Sequence, residues 1–307
     1  MKPLVLVTEG LEDAPLQYLR EHARTVEASP TSDRFTGALA EADGLIVRTY
    51  TQVNDALLRN APKLRAVGRA GVGLENIDQN ACEKRGVRVC STPDANTRAV
   101  CEYVYNLIFA LGRPLVPLTG PTTPEAFHRY RKTVRGLELS GKTMGILGMG
   151  RIGRAVGKVA IALGMRVIYN DVVDVSSAVE FPAQSVTSGV LLGESDILSL
   201  HVSHRPGNRH LIDASALQRM RPHALLINTC RGEVIDSHAL AAALRAGQLA
   251  GAALDVHDPE PPPDDYPLWG IPNALLLPHL AARTQGAMDA MSWVVKDVLN
   301  FLSGAQP

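Results

Sequence analysis

The stretch Lys142-Thr143-Met144-Gly145-Ile146-Leu147-Gly148-Met149-Gly150-Arg151-Ile152-Gly153 lies near the middle of the chain. It reads as a short apolar strand, a glycine-rich turn and the first turn of a helix. Gly148, Gly150 and Gly153 have the spacing of the dinucleotide-binding fingerprint. In that fingerprint one glycine lets the chain turn sharply, one lets backbone amides approach a pyrophosphate, and one lets the helix pack closely on the strand. The helix N-terminus adds N–H groups and a positive dipole end. This stretch predicts a dinucleotide site, and nearly half the chain precedes it, which is enough for a separate domain.

The bulk composition describes an ordinary globular protein of 307 residues, 46% hydrophobic and 20% charged. With 31 basic and 31 acidic residues the net charge is zero, so we expect neither nucleic acid nor an anionic membrane as a partner. No stretch approaches the roughly 20 apolar residues that span a bilayer, and the N-terminus lacks the features of a signal peptide. The four cysteines form no C-x-x-C pair or zinc-like set, which predicts no metal site and a reducing, cytoplasmic location.

Short apolar runs alternate with helix-length amphipathic segments, the pattern of a parallel α/β architecture. The predicted strands are 4–7, 44–47, 66–68, 87–90, 143–147, 166–169, 196–200, 224–228, 251–255 and 274–277. The predicted helices are 14–23, 54–60, 77–85, 96–111, 151–163 and one final helix over 286–302. Residues 113–127 are rich in Pro, Thr and Gly, and we interpret them as a long connection or arm.

Asp171 follows the predicted strand 166–169, the next strand after the glycine turn, and lies 23 residues after Gly148. Dinucleotide sites carry an acidic residue at this place. A carboxylate there can accept both ribose hydroxyls of NAD and repels the 2′-phosphate of NADP. The alternative is an ordinary turn and a solvated aspartate. Because a strand, a glycine turn and an acid occur together, cofactor binding is the favoured interpretation.

Three further side chains follow predicted strands downstream. Arg231, beside Gly232, has a guanidinium that suits a carboxylate and can polarise a neighbouring carbonyl. Glu260 and His279 form a plausible acid–base pair, in which the carboxylate holds the ring and raises its pKa. Taken singly, each of these residues has a structural alternative. The alternatives are a surface salt bridge for Arg231, a turn residue for Glu260 and a structural histidine for His279.

In combination, these segments resemble the D-isomer-specific 2-hydroxyacid dehydrogenase family, and most closely its D-3-phosphoglycerate dehydrogenase branch. The resemblance covers nearly the whole chain. It is carried by Val47-Arg48-Thr49-Tyr50-Thr51, Gly68-Arg69-Ala70-Gly71-Val72-Gly73-Leu74-Glu75-Asn76-Ile77-Asp78, Thr92-Pro93-Asp94-Ala95-Asn96-Thr97, Gly148 to Gly153, Cys230-Arg231-Gly232, Leu254-Asp255-Val256 through Glu260-Pro261, and Pro278-His279.

The resemblance implies roles for individual residues. Arg231 would hold the substrate carboxylate and polarise the 2-keto oxygen, His279 would be the general acid–base, and Glu260 would pair with it. The cofactor, NAD, would be bound by Gly148, Gly150, Arg151, Ile152, Gly153, Asp171, His201, Thr229, Cys230, Asp255 and His279, with Asp255 at the nicotinamide carboxamide. The substrate would be bound by Arg48, Tyr50, Arg69, Ala70, Gly71, Val72, Gly73, Asn96 and Arg231.

The resemblance also implies the architecture: two doubly wound parallel-sheet α/β domains, with a Rossmann-type nucleotide domain inserted into a flavodoxin-like substrate domain. The substrate domain would comprise 1–96 and 285–307, and the NAD domain 97–284. The arm around 113–137 resembles the family's dimerisation element, so a homodimer is expected. The chain looks like a short form without a C-terminal regulatory domain.

Several residues depart from the family's usual pattern. Tyr50 stands where alanine is common, which adds bulk near the expected substrate mouth. His204 and Arg205 make the adenine side more basic, and Arg205 would attract a 2′-phosphate, whereas Asp171 favours NAD. Arg283, four residues after His279, is an extra basic group. These departures do not change the expected hydride-transfer chemistry, but they leave the identity of the substrate open.

The expected function is hydride transfer between NAD(H) and C2 of a small D-2-hydroxy acid or 2-keto acid, with a phosphoglycerate-like substrate favoured. Glyoxylate, hydroxypyruvate or a phosphonate 2-keto acid are the alternatives. In the phosphoglycerate branch, arginines at the positions of Arg48 and Arg69 help bind the distal phosphate; simple surface charge is the other interpretation. A non-catalytic NAD(H)-sensing protein is a further possibility, against which Arg231, Glu260 and His279 together favour an enzyme.

Overall fold

The computed structural model describes residues 2–113 and 115–304. The chain divides into two compact units. Unit 1 comprises the described residues of Met1–Asn96 and Ala282–Pro307, and unit 2 those of Thr97–Ala281. The elements in chain order are β1 (Leu4–Val7), α1 (Asp13–His22), β2 (Arg24–Glu27), α2 (Phe35–Glu41), β3 (Gly44–Val47), α3 (Asp55–Arg59), β4 (Ala66–Arg69), α4 (Gln79–Lys84), β5 (Arg88–Ser91), α5 (Thr97–Gly112), α6 (Pro124–Thr133), β6 (Thr143–Leu147), α7 (Arg151–Ala162), β7 (Arg166–Asn170), β8 (Gln184–Ser185), α8 (Ser188–Glu194), β9 (Ile197–Leu200), α9 (Ala214–Arg219), β10 (Leu225–Asn228), α10 (Ser237–Arg245), β11 (Gly251–Leu254), β12 (Ala274–Leu276), α11 (Gln285–Ser292) and α12 (Val294–Ser303).

Unit 1 is built on a five-stranded parallel sheet in the order β2-β1-β3-β4-β5. Its central strands are fully buried, as at Leu45 and Ile46, which explains their continuous apolar sequence. Helix α12 packs closely on β4 because Gly68 has no side chain: a Cβ there would lie 2.7 Å from both Ile46 Cδ1 and Val298 Cγ2. The last helix of the chain thereby belongs to unit 1.

Unit 2 is built on a seven-stranded parallel sheet in the order β12-β11-β10-β9-β6-β7-β8. The direction of chain progress reverses between β6 and β9, and ligands of open α/β sheets bind outside the strand carboxyl ends at such a point. That edge carries the residues that follow β6, β7, β9, β10, β11 and β12. The prediction of two parallel-sheet α/β domains is confirmed.

The predicted single final helix is wrong, because the structure has two helices, α11 and α12, that meet at Trp293. Ser292 is fully buried and its hydroxyl donates to the Met288 carbonyl at 2.9 Å. It also accepts from the Glu12 backbone N–H at 3.2 Å. A serine that bonds back to the carbonyl four residues earlier bends a helix, and the apolar periodicity continues through the bend.

Seven elements went unpredicted: β2, β8, α2, α6, α8, α9 and α10. Strand β2 is a polar edge strand of 4 residues, and α2 has only 7. Helix α6 lies in the arm that was predicted as a connection; Thr123 accepts from the Ala126 N–H and Pro124 occupies its first turn. Within residues 2–113 and 115–304, no helix is long and apolar enough to cross a membrane.

Candidate active site

The glycine turn after β6 has the geometry that each glycine was expected to provide. Gly148 has φ +93°, and a Cβ there would lie 2.6 Å from the His201 carbonyl oxygen. A Cβ at Gly153 would lie 2.2 Å from the Gly148 carbonyl oxygen. Gly150 caps α7 without a side-chain hydrogen bond, and the space beside it is open. The start of α7 therefore offers backbone N–H groups to a phosphate.

Asp171 lies against this turn. Its Oδ2 accepts the Met149 backbone N–H at 2.7 Å, and its Oδ1 accepts the Val173 N–H at 3.1 Å. The turn and β7 are also joined by the Gly148 N–H, which donates to the Asn170 carbonyl at 2.9 Å. The Asp171 carboxylate is thus held beside the backbone amides that would face a pyrophosphate. The adjoining ribose of a dinucleotide would lie at this place.

Two buried polar atoms along the same sheet edge have no hydrogen-bond partner within the described residues, His201 Nδ1 and Thr229 Oγ1. His201 follows β9, and its Nε2 pairs with Ser199 Oγ at 2.9 Å. Burial lowers the pKa of His201 to about 3, so the ring is neutral. Unpaired buried groups are costly unless a ligand satisfies them. With the open space at Gly150, they fit a bound dinucleotide.

Arg231 lies on a tight turn that Asn228 shapes. The fully buried Asn228 side chain accepts the Cys230 N–H at 3.0 Å and donates to the Arg231 carbonyl at 2.9 Å. Gly232 brings this turn against the loop after β11, because a Cβ there would lie 2.0 Å from the His257 carbonyl oxygen. Burial raises the pKa of the Cys230 thiol to about 11, so that group stays protonated.

Glu260 and His279 form the predicted pair, with His279 Nδ1 3.0 Å from Glu260 Oε2. The Glu260 hydrogen bond raises the pKa of His279 above its ordinary value, against an opposing effect of burial. Burial alone would raise the pKa of Glu260, but its bond to His279 and the nearby charge bring it below the usual range. His279 Nε2 is left without a partner in the part of the chain described here. The charge of Arg231 also acts on His279.

Asp255 fixes the loop that carries His279. It is fully buried, and it accepts the Leu280 N–H at 2.8 Å and the Ala281 N–H at 2.7 Å. His279 has φ +56°, a left-handed conformation that is rare outside glycine. His257 adds a second support, since its Nε2 lies 2.9 Å from the Leu277 carbonyl oxygen. The contact of Asp255 with a nicotinamide carboxamide stays a prediction.

In unit 1, the loop Arg48–Thr51 is organised by Glu9, which sequence reasoning missed. The Glu9 carboxylate accepts the backbone N–H groups of all four loop residues, at 2.8 to 3.1 Å. Burial raises the pKa of Glu9, but these four bonds outweigh it and the pKa is lowered. Tyr50 projects from this loop and is 85% exposed. A glutamate soon after a first strand carries no signal that marks such a partner.

Apart from Arg231, the other predicted substrate residues also lie in unit 1. Arg48 Nη1 donates to the Gly10 carbonyl at 3.2 Å, and Nη2 lies 3.0 Å from Met288 Sδ. Arg69 folds back on its own loop, donating to the Ala70 carbonyl at 3.3 Å, and a Cβ at Gly71 would collide with it. Val72, Gly73 and Asn96 are half-buried. The residues predicted to bind the nucleotide and to act in catalysis share one sheet edge of unit 2, and Arg151 and Ile152 begin α7 there.

Comparison with known proteins agrees with this arrangement. Residues 106–281 match the NAD-binding domain of D-isomer-specific 2-hydroxyacid dehydrogenases. The (S)-sulfolactate dehydrogenase of Chromohalobacter salexigens is 39% identical, over 95% of this chain and 96% of that protein. The glyoxylate reductase of Korarchaeum cryptofilum is 34% identical, over 100% and 95%.

Two further matches differ in what they cover. The D-3-phosphoglycerate dehydrogenase of Archaeoglobus fulgidus is 33% identical over 98% of this chain, which spans only 57% of that protein's length. A crystal structure of D-lactate dehydrogenase from Aquifex aeolicus, complexed with NAD and lactic acid, superposes with a TM-score of 0.83 at 26% identity, covering 98% of this chain and 96% of the other. The chain belongs to the D-isomer-specific 2-hydroxyacid dehydrogenase family, and its residues 106–281 are that family's NAD-binding domain.

Proposed function

We propose that this protein is an NAD-dependent oxidoreductase that acts at C2 of a small D-2-hydroxy acid or the corresponding 2-keto acid. The observation that carries the proposal is the pair Glu260–His279, 3.0 Å apart, at the carboxyl edge of the sheet that holds the glycine turn. Family membership supports NAD as the cofactor. We further propose substrate-binding roles for Arg48, Tyr50 and Arg69, as the family resemblance implies.

NAD supplies, when bound, the carbon that accepts or gives the hydride. Arg231 would bind the substrate carboxylate through its guanidinium and place its positive charge beside the oxygen on C2. During reduction of the keto acid, protonated His279 gives its Nε2 proton to that oxygen. During oxidation, neutral His279 takes the hydroxyl proton at the same atom.

Glu260 supports this proton transfer in two ways. It holds Nδ1 of the ring, which leaves Nε2 as the nitrogen that exchanges the proton. Its negative charge stabilises the protonated ring, as the raised pKa of His279 indicates. Asp255 and His257 hold the loop in which His279 adopts its left-handed backbone. These residues orient the acid–base group and need no contact with the substrate.

For the substrate, we propose a phosphoglycerate-like acid, which carries a second acidic group. The relatives named above act on phosphoglycerate, sulfolactate and glyoxylate respectively. Glyoxylate, hydroxypyruvate and a phosphonate 2-keto acid are the alternatives. What the three acids share is the C2 centre, which Arg231 and His279 would recognise in each case.

A substrate panel tests the proposed activity. Plain, hydroxylated, phosphorylated, sulfonated and phosphonate 2-keto acids are each mixed with NADH, and NADH absorbance is followed. We expect oxidation of NADH with at least one of them. If NADH binds by calorimetry but none of the acids is reduced, the enzymatic proposal is wrong and a nucleotide-binding protein without turnover is indicated.

We also propose a homodimer formed through the arm. Leu115 and Leu118 are 92% and 54% exposed. Leu118 lines an open apolar groove together with Val116, Phe127, Tyr130, Arg131 and Val134. Exposed apolar patches of this kind are typical of protein interfaces. Light scattering should show a dimer that Leu118→Glu converts to a monomer, and a wild-type monomer would contradict the proposal. The four cysteines are free thiols, which supports the proposed reducing, cytoplasmic location.

A further inference from the structure

The segment 203–211, which we call the strap, lies between β9 and α9 in unit 2. Near its end the backbone is attached to the neighbouring loop, because the His210 N–H donates to the Glu233 carbonyl at 2.8 Å. His210 has φ +54°, a left-handed backbone that turns the chain at this point. Two charged side chains of the strap, His204 and Arg209, reach out of it to other loops.

His204 joins the strap to the turn of Arg231. Its Nδ1 lies 2.5 Å from Oε1 of Glu233, which follows Arg231 by two residues. The two side chains form an ion pair when the ring carries a proton. Glu233 Oε1 is buried and has no other polar partner within residues 2–113 and 115–304. His204 was expected to make the adenine side more basic, but in the structure a carboxylate lies against it.

Arg209 joins the strap to the loop of Glu260. Its Nη1 donates to Asp258 Oδ2 at 3.0 Å, and Asp258 precedes Glu260 by two residues. The backbone N–H of His257, one residue further back, donates to Glu260 Oε1 at 3.0 Å. The Arg209 bond therefore anchors the short loop from which the Glu260 carboxylate reaches His279.

The two anchored loops touch each other. Gly232, next to Arg231, lies against the peptide between His257 and Asp258. A Cβ at Gly232 would lie 2.0 Å from the His257 carbonyl oxygen and 2.6 Å from the Asp258 backbone nitrogen. Glu233 directly follows Gly232, so the two carboxylates that the strap holds belong to the two sides of this contact.

We propose that the strap is a positioning element of the reaction: its two ion pairs fix the loops of Arg231 and Glu260 relative to each other. His204 and Arg209 are then positioning residues that need no contact with substrate or cofactor. The inference rests on the functions proposed for Arg231 and Glu260, and small displacements of such groups slow a reaction.

The two ion pairs should have different kinetic effects. Arg231 would bind the substrate carboxylate, so loss of the His204 pair should weaken binding of the keto acid. Glu260 supports proton transfer, so loss of the Arg209 pair should slow turnover. A merely structural role of the strap would not divide its effects between KM and kcat in this way.

The test measures both constants for the 2-keto acid that the wild type reduces best, at saturating NADH. In His204→Leu, KM for the acid should rise about two- to fivefold, with kcat nearly unchanged. In Arg209→Gln, kcat should fall by a similar factor, with KM nearly unchanged. Changes of this size are expected because the pairs are partly exposed, and such ion pairs contribute little individually.

Two further variants show whether charge is responsible. His204→Lys keeps a cation opposite Glu233 and should keep the wild-type KM. Exchange of the second pair, in the double variant Arg209→Asp with Asp258→Arg, should restore most of the lost kcat. If neither variant behaves in this way, the ion pairs are not what positions the two loops, and the inference is wrong.

Arg166→Gln is the matched control. Arg166 forms an ion pair with Glu194 in the same unit, and both side chains are about half-exposed. Because Arg166 begins β7, this pair lies at the amino edge of the sheet, and its loss should change neither constant. Unchanged constants in both strap variants, or equal changes in Arg166→Gln, overturn the inference alone. A wild type that reduces no acid of the panel overturns the proposed function, and the inference with it.

Discussion

Replacing Asp255 by asparagine removes half of the attachment that holds the loop after His279. The native carboxylate accepts two amide N–H groups, from Leu280 and Ala281, at 2.8 and 2.7 Å. Asparagine offers one carbonyl oxygen and one NH2 group, so one buried N–H would face another donor. Leaving a buried donor unsatisfied costs about 1–3 kcal/mol.

This loss is comparable with the strain that the loop holds. A left-handed backbone at a residue with a Cβ costs roughly 1–2 kcal/mol, and His279 has φ +56°. In the native protein two bonds to a charged acceptor, each contributing about 1.5–3 kcal/mol, exceed that strain. With one of them lost, the left-handed conformation of His279 is no longer strongly favoured. We expect kcat for keto-acid reduction to fall roughly tenfold to a hundredfold, as misplacement of a catalytic group by about 1 Å does.

The assay separates this effect from cofactor binding and from lost stability. The dissociation constant of NADH, measured by calorimetry, should stay close to the wild-type value while kcat falls. Asp196→Asn is the matched control, because Asp196 is also buried and accepts a backbone N–H, that of Thr143 at 2.8 Å, but at the amino edge of the sheet; it should lower Tm and spare kcat. Weakened NADH binding with an unchanged kcat would refute the loop argument and support a nicotinamide contact for Asp255.

Glu260→Gln should lower the pKa of His279, because the hydrogen bond to Glu260 is the main cause that raises it. Reduction uses protonated His279 and falls as the pH rises through that pKa, so its pH–rate profile should move to lower pH; an unmoved profile contradicts the pairing. His279→Ala should reduce turnover by about 10²- to 10⁴-fold, the typical contribution of a general acid–base, and leave NADH binding nearly unchanged; equal loss of both argues against this role. Asp171→Ala should shrink the preference for NADH over NADPH, and an unchanged ratio would exclude Asp171 from the ribose contact.

Features that depend on a single local requirement were predictable from the sequence. Gly148 must adopt φ +93° and Gly153 must leave room for the Gly148 carbonyl, and no other residue meets either condition. Buried parallel strands such as β3 and β10 are continuous apolar runs, so their positions could be read closely. The pair Glu260–His279 was proposed from the residues themselves and was favoured over the structural alternatives by the family resemblance; the structure shows the two side chains 3.0 Å apart.

Features that depend on contacts between distant segments were not predictable. Glu9 receives its four donors from a loop some 40 residues later, and nothing local to Glu9 indicates this. Asn228 looks like the polar end of a strand, yet its buried amide shapes the turn of Arg231. The break between α11 and α12 depends on Ser292, whose hydroxyl also meets the Glu12 backbone. One sequence carries no information on which distant group will satisfy a polar side chain.

Asp255 and Glu260 lie five residues apart, yet their pKa values move in opposite directions. Burial raises the pKa of Asp255 although two backbone N–H groups oppose it, and the charge of Glu260 adds to the rise. Glu260 has an ionisable partner, His279, whose hydrogen bond and charge bring its pKa below the ordinary range. Environments that separate two carboxylates in this way divide their roles. We therefore propose that Asp255 serves the geometry of the loop, through its bonds to the Leu280 and Ala281 N–H groups, and that Glu260 is the carboxylate whose charge compensates His279 when the ring carries the proton.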